Sequence, residues 1–577
     1  MATVEVEPEV VSHRVSRPAA GVTADTDPIT TEVIRHGLDA AADQMRLALR
    51  RTAFSPVIYD MTDFAAALYD QQIRLLAQAQ ALPLFLGTMN FVIEAALAAV
   101  GGEEALEPGD IIFTTYGYDL GSHQQDACIV VPGFFEGRLV GYAVIKAHHM
   151  DIGAKEIYCT DTVDIFQEGA IFPSVKLYHA GELDRDMYRT ILANSRLPKA
   201  LEGDLNAQIG AARVGLQGLY RLLERYGVDT FSQCVDRMMD HGESVIRNFF
   251  ASLPDGRYVE QGLMDSDGIT DDPIPFEVAI EIKGSDVVVD FTNVPPARPG
   301  PMNCPRATTV SAARIALMTF AGGNQSANEG HFRPLEVRTR PGSMFHPRPP
   351  SPIFMYGWPA IQAVDVIHKA LSAALRSAVP AGSGGDLCCI MWWGNNPDGS
   401  FWGDGTDHYV GSGATPTQDG GAPLMHISCS GIRNQPIESF ESRRPFVVDR
   451  FEFATDSGGP GRYRGGPGVE LHYRALRDAY ITSTFERTKT PTWGLHGGGE
   501  GHPSHVQVRQ TDGSVQEYGK VTGLKLPAGS VLELRTGAGG GFGPPSEREP
   551  ERVLTDVKDG YITERRARDE YPHAFND

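Results

Sequence analysis

Apolar residues recur along this chain with two periods, and the change between them divides it. Ile34, Leu38, Ala41, Met45 and Leu49 fall three or four residues apart, which predicts an amphipathic helix starting near Asp27-Pro28, with Thr30 or Thr31 as its cap. Its other face carries Arg35, Asp39, Asp43, Arg46 and Arg50. Ser55-Pro56 breaks that pattern, and Phe64–Asp70 reads as a strand. The most apolar stretch, Leu82 to Val100, is interrupted by Pro83, Asn90 and Glu94, so it reads as a turn and a buried helix, not a membrane span. From Asp110 to Val175 the β-branched runs IIFTTY, CIVVP and LVGYAVIKAHH predict strands. Helical spacing returns over 186–250. From Tyr258 onward short strands alternate with Gly/Pro turns, with helices expected at 306–321 and 361–378.

The implied fold class is mixed α+β with several subdomains: a helical and β-hairpin N-terminal half and a β-rich, glycine-rich C-terminal half. The expected division is a disordered lead-in over 1–25, an α/β region over 26–255, a β-rich region with interspersed helices over 256–545, and a polar helical tail over 546–577. A chain of 577 residues exceeds what one core supports. The net charge of −22, from 51 basic and 73 acidic residues, argues against nucleic acid or an anionic membrane as partner. Seven scattered cysteines without a C-x-x-C pair, and no apolar leader segment, predict reduced thiols and a cytoplasmic location. There is no P-loop, no G-x-S-x-G and no H-E-x-x-H. The glycine runs SGGPGRYRGGPG, GLHGGGEGHP and TGAGGGFGPP read as tight turns and close backbone packing.

The candidate chemistry lies in GSHQQDACIVVP and AHHMDIG. Glu136-Gly137 predicts a two-residue hairpin turn, which sets Phe135 opposite Arg138, Asp126 opposite Ala147 and Gln125 opposite His148. The loop holding His123 and Asp126 then lies at the same end of the hairpin as His148 and His149. Strand alternation sends His148 and His149 to opposite faces. His123, Asp126 and His148 form a candidate carboxylate–histidine site for Zn²⁺, Mn²⁺ or Fe²⁺; His149 and Asp151 are candidate catalytic or ligand-orienting groups. A polar hairpin end that only hydrogen-bonds backbone is the other reading. Asp204 and Gln208 share a helix face, and His331, Arg333 and Asn303 admit structural roles.

The segments DPITTEVIRHGL, LRRTAFSPVIYDMTDFAAALYD, GSHQQDACIVV, AHHMDIG, EGAIFPSVKL, GDLNAQIGAA, NEGHFRPLEV, GGPGRYRGGPGV, WGLHGGGEG and TGAGGGFGPP follow one another as they do in the B-type subunits of the hydantoinase/oxoprolinase family, which the chain resembles from about Asp27 to Tyr571. That family also includes acetone and acetophenone carboxylase subunits. The resemblance implies a metal-binding subunit with Asp63 as fourth ligand beside His123, Asp126 and His148. It implies a hetero-oligomer with an A-type partner that holds ATP-Mg. The implied reaction is opening of a cyclic amide such as a hydantoin, lactam or oxoproline. Ketone carboxylation is the alternative, to which H-Q-x-D is somewhat closer, and a metal-stabilised non-catalytic scaffold is a third.

Overall fold

The computed structural model describes residues 9–16, 27–321, 326–375 and 378–575. Strand β1 (Val11–Arg14) falls inside the expected disordered lead-in: it pairs antiparallel with Leu335–Thr339 and half-buries Val11 and His13. The lead-in is therefore partly built into a sheet, and its remainder lies outside the described residues. Helix α1 (Pro28–Thr52) is capped by Asp27, whose carboxylate accepts from the Ile29 and Thr30 amides at 3.2 and 3.1 Å, not by Thr30 or Thr31. Pro28 takes the first helical position, so the cap falls on the residue before it. The buried face of α1 holds the five residues named from its periodicity. It packs along the helix at Pro198–Tyr226, where a side chain at Gly215 would lie 2.3 Å from the Met45 sulfur.

Short helices α2 (Pro56–Tyr59), α3 (Pro83–Leu86), α4 (Met89–Val100) and α5 (Gly117–Leu120) follow. Then come α6 (Arg185–Ala193), α7 (Pro198–Tyr226), α8 (Val228–Ala251), α9 (Arg306–Ala321) and α10 (Gly357–Leu371). The helix expected at 361–378 thus begins four residues earlier and ends at Leu371. Strands β2 (Phe64–Asp70), β3 (Leu75–Gln78), β4 (Ile111–Thr114), β5 (Cys128–Phe135), β6 (Arg138–Ala147), β7 (Val175–His179) and β8 (Glu182–Leu183) form one sheet in the order β3-β2-β6-β5-β4-β7-β8. Three further sheets, among the described residues, lie mostly in the second half of the chain. One hydrophobic cluster runs from Ile34 to Ile432, a second lies within 388–534, and a third joins Val553 to Tyr571 in the helical tail.

The β5–β6 hairpin turns at Glu136-Gly137, both with positive φ, as the sequence predicts. Phe135 opposes Arg138 and Phe134 opposes Leu139, but Gly133 opposes Gly141. Val140 is the extra residue of a β-bulge, and from there inward the register is shifted by one. Asp126 consequently lies opposite His148, not Ala147. Gly141 sits where a side chain would meet the Tyr69 carbonyl oxygen of β2 at 2.2 Å, so only glycine lets the two strands approach there. Strand β2 continues the row, because Phe64 pairs with Ala147 and the His148 amide donates to the Asp63 carbonyl at 3.1 Å. Asp63, His148 and Asp126 therefore stand side by side on one face of three adjacent strands.

The glycine runs pack backbone on backbone. Gly539 donates to the Gly466 carbonyl, Gly540 to Gly382 and Gly541 to Gly499, each at 2.9 Å. A side chain at Gly540 would lie 2.1 Å from the Trp493 carbonyl oxygen.

Met45→Ala should lower stability by about 2–5 kcal/mol, the cost of a cavity at a buried helix seam. Denaturant unfolding followed by fluorescence measures it.

Candidate metal centre

His148 and Asp126 face each other where the flanking pairs carry the backbone bonds: Ala147 donates to Ala127 at 3.1 Å and His149 to Gln125 at 2.8 Å. This is a non-hydrogen-bonded pair, in which side chains come closest. His148 Nδ1 lies 2.9 Å from Asp126 Oδ1. His123, three residues before Asp126, brings Nε2 to 2.9 Å from the same oxygen and 3.1 Å from His148 Nδ1. These three atoms form a triangle of metal-ligand dimensions, buried on every side.

The hydrogen bonding of His123 decides how the triangle reads. His123 Nδ1 lies 2.8 Å from the Phe354 carbonyl oxygen, which can only accept. The ring proton is thereby assigned to Nδ1, and Nε2 turns a lone pair on Asp126 and His148. One proton on His148 Nδ1 cannot satisfy both neighbours. A divalent ion about 2.0–2.2 Å from each atom would satisfy all three. The other Asp126 oxygen accepts from the Tyr356 hydroxyl at 2.7 Å, which turns Oδ1 toward the two imidazole nitrogens, where an ion would sit. Two buried atoms of the site have no protein partner, Asp63 Oδ1 and His148 Nε2. The residues present fit a divalent ion with N and O ligands.

Asp63 lies outside the triangle but lines the same pocket of about 50 Å³. Burial, offset in part by His148 and reinforced by Asp126 and Asp407, pushes its carboxyl up to about 8. Burial acts the same way on Asp126, yet the two imidazoles set against it, His123 and His148, outweigh burial and hold it well below the usual carboxylate range. One row behind, the Lys146 ammonium donates to the Leu120 carbonyl at 2.9 Å and sits 4.5 Å over the Phe85 ring; burial pulls it down to about 8.

The opposite wall comes from the second half of the chain: Tyr356 and Trp358 of the α10 segment, Cys389, Met391 and Asp407, and Cys429 and Ile432. Asp407 is buried and raised to about 7 by burial, with the Cys389 thiol donating to it. Glu168 supports the site from behind. Its Oε1 accepts from the Ile353 and Phe354 amides and the Thr162 hydroxyl, each at 2.8 Å, and so fixes the segment whose carbonyl holds His123. Burial pushes Glu168 up to about 8. Sequence reasoning gave no site role to Tyr356, Trp358, Cys389, Asp407 or Glu168, although Glu168 opens the EGAIFPSVKL segment. No spacing links them to the hairpin.

His149 and Asp151 do not line this pocket. His149 points to the far face, as alternation requires, with Nε2 2.9 Å from Gln208 Oε1. The Gln208 amide donates to the Ala127 and Ile145 carbonyls at 3.1 and 3.2 Å and ties α7 to the hairpin. Asp151 accepts from the Gly153 amide at 3.2 Å, the Arg196 guanidinium at 2.5 Å and the Arg196 amide. Asp204 holds the Phe54-Ser55 segment ahead of α2 by accepting from their amides at 2.7 and 3.0 Å. Arg333 pairs with Asp240 and Glu243, His331 closes a capping box with Asn328, and Asn303 bonds the backbone of its own loop and Pro352.

Residues 27–545 match the Hydantoinase B/oxoprolinase family model. The caprolactamase subunit beta of Pseudomonas jessenii is 32% identical over 565 residues, covering 94% of this chain and 96% of that one. The crystal structure of ATP-dependent caprolactamase from Pseudomonas jessenii superposes with a TM-score of 0.88 at 29% identity, covering 95% and 96%. A nucleotide-free acetone carboxylase structure superposes with a TM-score of 0.85 at 19% identity, covering 94% and 79%, a likeness of fold. The chain belongs to the hydantoinase B/oxoprolinase family.

Asp126→Ala should abolish stoichiometric metal, read by elemental analysis of the purified chain. Tyr356→Phe should keep the fold and weaken metal affinity about 10–100-fold, read by chelator competition. Glu168 is neutral in the folded chain up to about pH 8 and ionised above about pH 4.5 in the unfolded chain. The folded state thus binds the extra proton, and its stabilisation is lost as pH rises through 8. Glu168→Gln should flatten the part of the fall in melting temperature that lies between about pH 5 and pH 8.

Proposed function

We propose that this chain is the metal-binding subunit of an ATP-dependent cyclic-amide hydrolase, acting with an A-type partner that holds ATP-Mg. The observation that carries the metal assignment is the His123 lone pair, fixed by the Phe354 carbonyl and aimed at Asp126 and His148. Similarity over 96% of a caprolactamase beta subunit favours a lactam-like substrate. The lack of a P-loop in this sequence favours an ATP site on another chain.

His123, Asp126 and His148 would hold the ion, with Asp63 as the fourth ligand from the neighbouring strand. A divalent ion there supplies Lewis acidity toward a carbonyl or phosphoryl oxygen. Tyr356 orients Asp126 through its second oxygen. Tyr158 packs edge to face on His123, Phe354 lies tilted against it and Trp358 meets Tyr158 edge to face, which limits entry of bulk water. Asp407 presents a carboxyl to the same pocket from the opposite wall and is placed to hold a proton near the reacting group. His149 and Asp151 act as positioning residues: His149 anchors the hairpin to α7 through Gln208, and Asp151 locks the segment after His149 onto Arg196. All seven cysteines are unpaired and buried, in keeping with a reducing cytoplasmic setting. No helix among the described residues is long and apolar enough to cross a membrane.

The carboxylase reading draws on the shared fold with acetone carboxylase. A substrate panel with the co-expressed partner separates the two. A hydrolase releases phosphate from ATP when given a lactam or hydantoin, without bicarbonate. A carboxylase requires a ketone and bicarbonate. The metal-stabilised scaffold reading predicts that Asp126→Ala loses metal and assembly together, so loss of turnover in an assembled Asp126→Ala complex counts against it.

A further inference from the structure

A cavity of about 670 Å³ lies behind the metal pocket, between α1, α9, the Gln78–Gly87 segment and the 427–433 loop. Only two stretches of chain separate the two spaces. Leu82, Leu84 and Phe85 face the metal pocket, while Pro83 and Leu86 face the cavity. Cys429 and Ile432 face the pocket, while Ser430 and Gly431 face the cavity. The wall is tightly built: a side chain at Gly431 would lie 2.3 Å from the Ala81 backbone, and the Arg433 amide donates to the Met61 carbonyl at 2.8 Å.

The charge of this cavity runs against that of the chain. Acidic residues outnumber basic ones 73 to 51 overall, yet the lining contains three arginines and, among the described residues, no acidic side chain. Arg314 is anchored by Glu329 at 3.1 Å and lies 4.4 Å over the Phe332 ring. Arg46 is half-buried and pairs with Asp43 at its exposed edge. The exposed Arg433 side chain makes no hydrogen bond or ion pair among the described residues, while its amide is held by the Met61 carbonyl. Arg50, one turn beyond Arg46, is lowered by burial and then by the charges of Arg433 and Arg46, with Asp60 opposing them. Arginines from two elements therefore converge without an equal number of carboxylates. Ile315, Met318, Phe332 and Leu86 supply an apolar floor beside them.

We propose that this cavity binds a small organic oxyanion with a short apolar body, held by Arg433 and Arg46 at its charged end and by the α9 side at its apolar end. Its use as an antechamber for a charged reactant or product of the metal pocket rests on the proposed function; the binding itself does not. Clefts of one charge sign with low-dielectric walls concentrate such ligands.

The test uses the full chain, stripped of metal and without ATP or partner, titrated calorimetrically with hexanoate, inorganic phosphate and hexanamide. Hexanoate should bind saturably, phosphate should compete, and the neutral amide should not bind. Arg433→Gln and Arg46→Gln should each weaken hexanoate about tenfold, the scale of one hydrogen bond to a charged group. Arg433→Lys should lose less, and Arg51→Gln, exposed on the same helix, should change nothing. Equal melting temperatures certify that the variants fold. The proposal is overturned by absence of saturable hexanoate binding, by equal affinity for acid and amide, or by affinity unmoved in both glutamine variants. Loss of partner association in those variants with no hexanoate binding to the parent chain would make the arginines a protein interface and also overturn it. None of these outcomes depends on lactam turnover, so failure here is distinct from failure of the proposed reaction.

Discussion

Two imidazole nitrogens and one carboxylate oxygen held within 3.1 Å of one another, in an interior closed to water, constrain everything around them. Left to themselves such atoms repel. The fold keeps them together by fixing each from behind: His123 by the Phe354 carbonyl, Asp126 by the Tyr356 hydroxyl, and His148 by the backbone bond to Asp63. Glu168 in turn holds the Phe354 segment. The supports come from three separate parts of the chain, at Asp63, Glu168 and Phe354–Tyr356, so the site exists only when the whole core has closed. A divalent cation would offset the clustered donors and the carboxyls beside them.

The register of one hairpin carries much of this. The bulge at Val140 moves every pair beyond Gly141 by one residue, which brings Asp126 opposite His148 at a position where side chains stand closest. A straight hairpin would set Asp126 against Ala147 and turn it toward the helical layer. β2 then adds Asp63 to the same row. The ligand row is thus a property of three strands and one bulge, with a loop contributing only His123.

The pocket sits where the N-terminal sheet meets the second half of the chain. Its far wall is apolar and aromatic except for Asp407, and this keeps the local dielectric low. Low dielectric raises Asp63, Glu168 and Asp407 and lowers Lys146, so the region is rich in groups whose charge depends on what is bound beside them. On the other side of a thin wall, unbalanced arginines give an overall acidic protein one cationic recess.

Periodicity and short-range chemistry determined much from sequence alone. The apolar face of α1, the turn at Glu136-Gly137, the helix at 306–321 and the opposite orientations of His148 and His149 all follow from local geometry that neighbouring residues impose. The motif order was sufficient to give the family, and the meeting of His123, Asp126 and His148 followed from hairpin proximity, which tolerates an error of one residue. The bulge did not show, because Val140 reads as an ordinary strand residue and its displacement is set by packing against β2. The Asp27 cap gave way in the reading to nearby threonines, and Val11–Arg14 became a strand only because a sheet edge more than 300 residues away accepts it. Tyr356, Glu168 and Asp407 lie 230, 42 and 281 residues from Asp126, and no local pattern encodes such distances. Local forces set the hairpin and the alternation along it; the bulge, β2 and burial against distant chain decided which side chains line up in a dry pocket, and so what chemistry they can do.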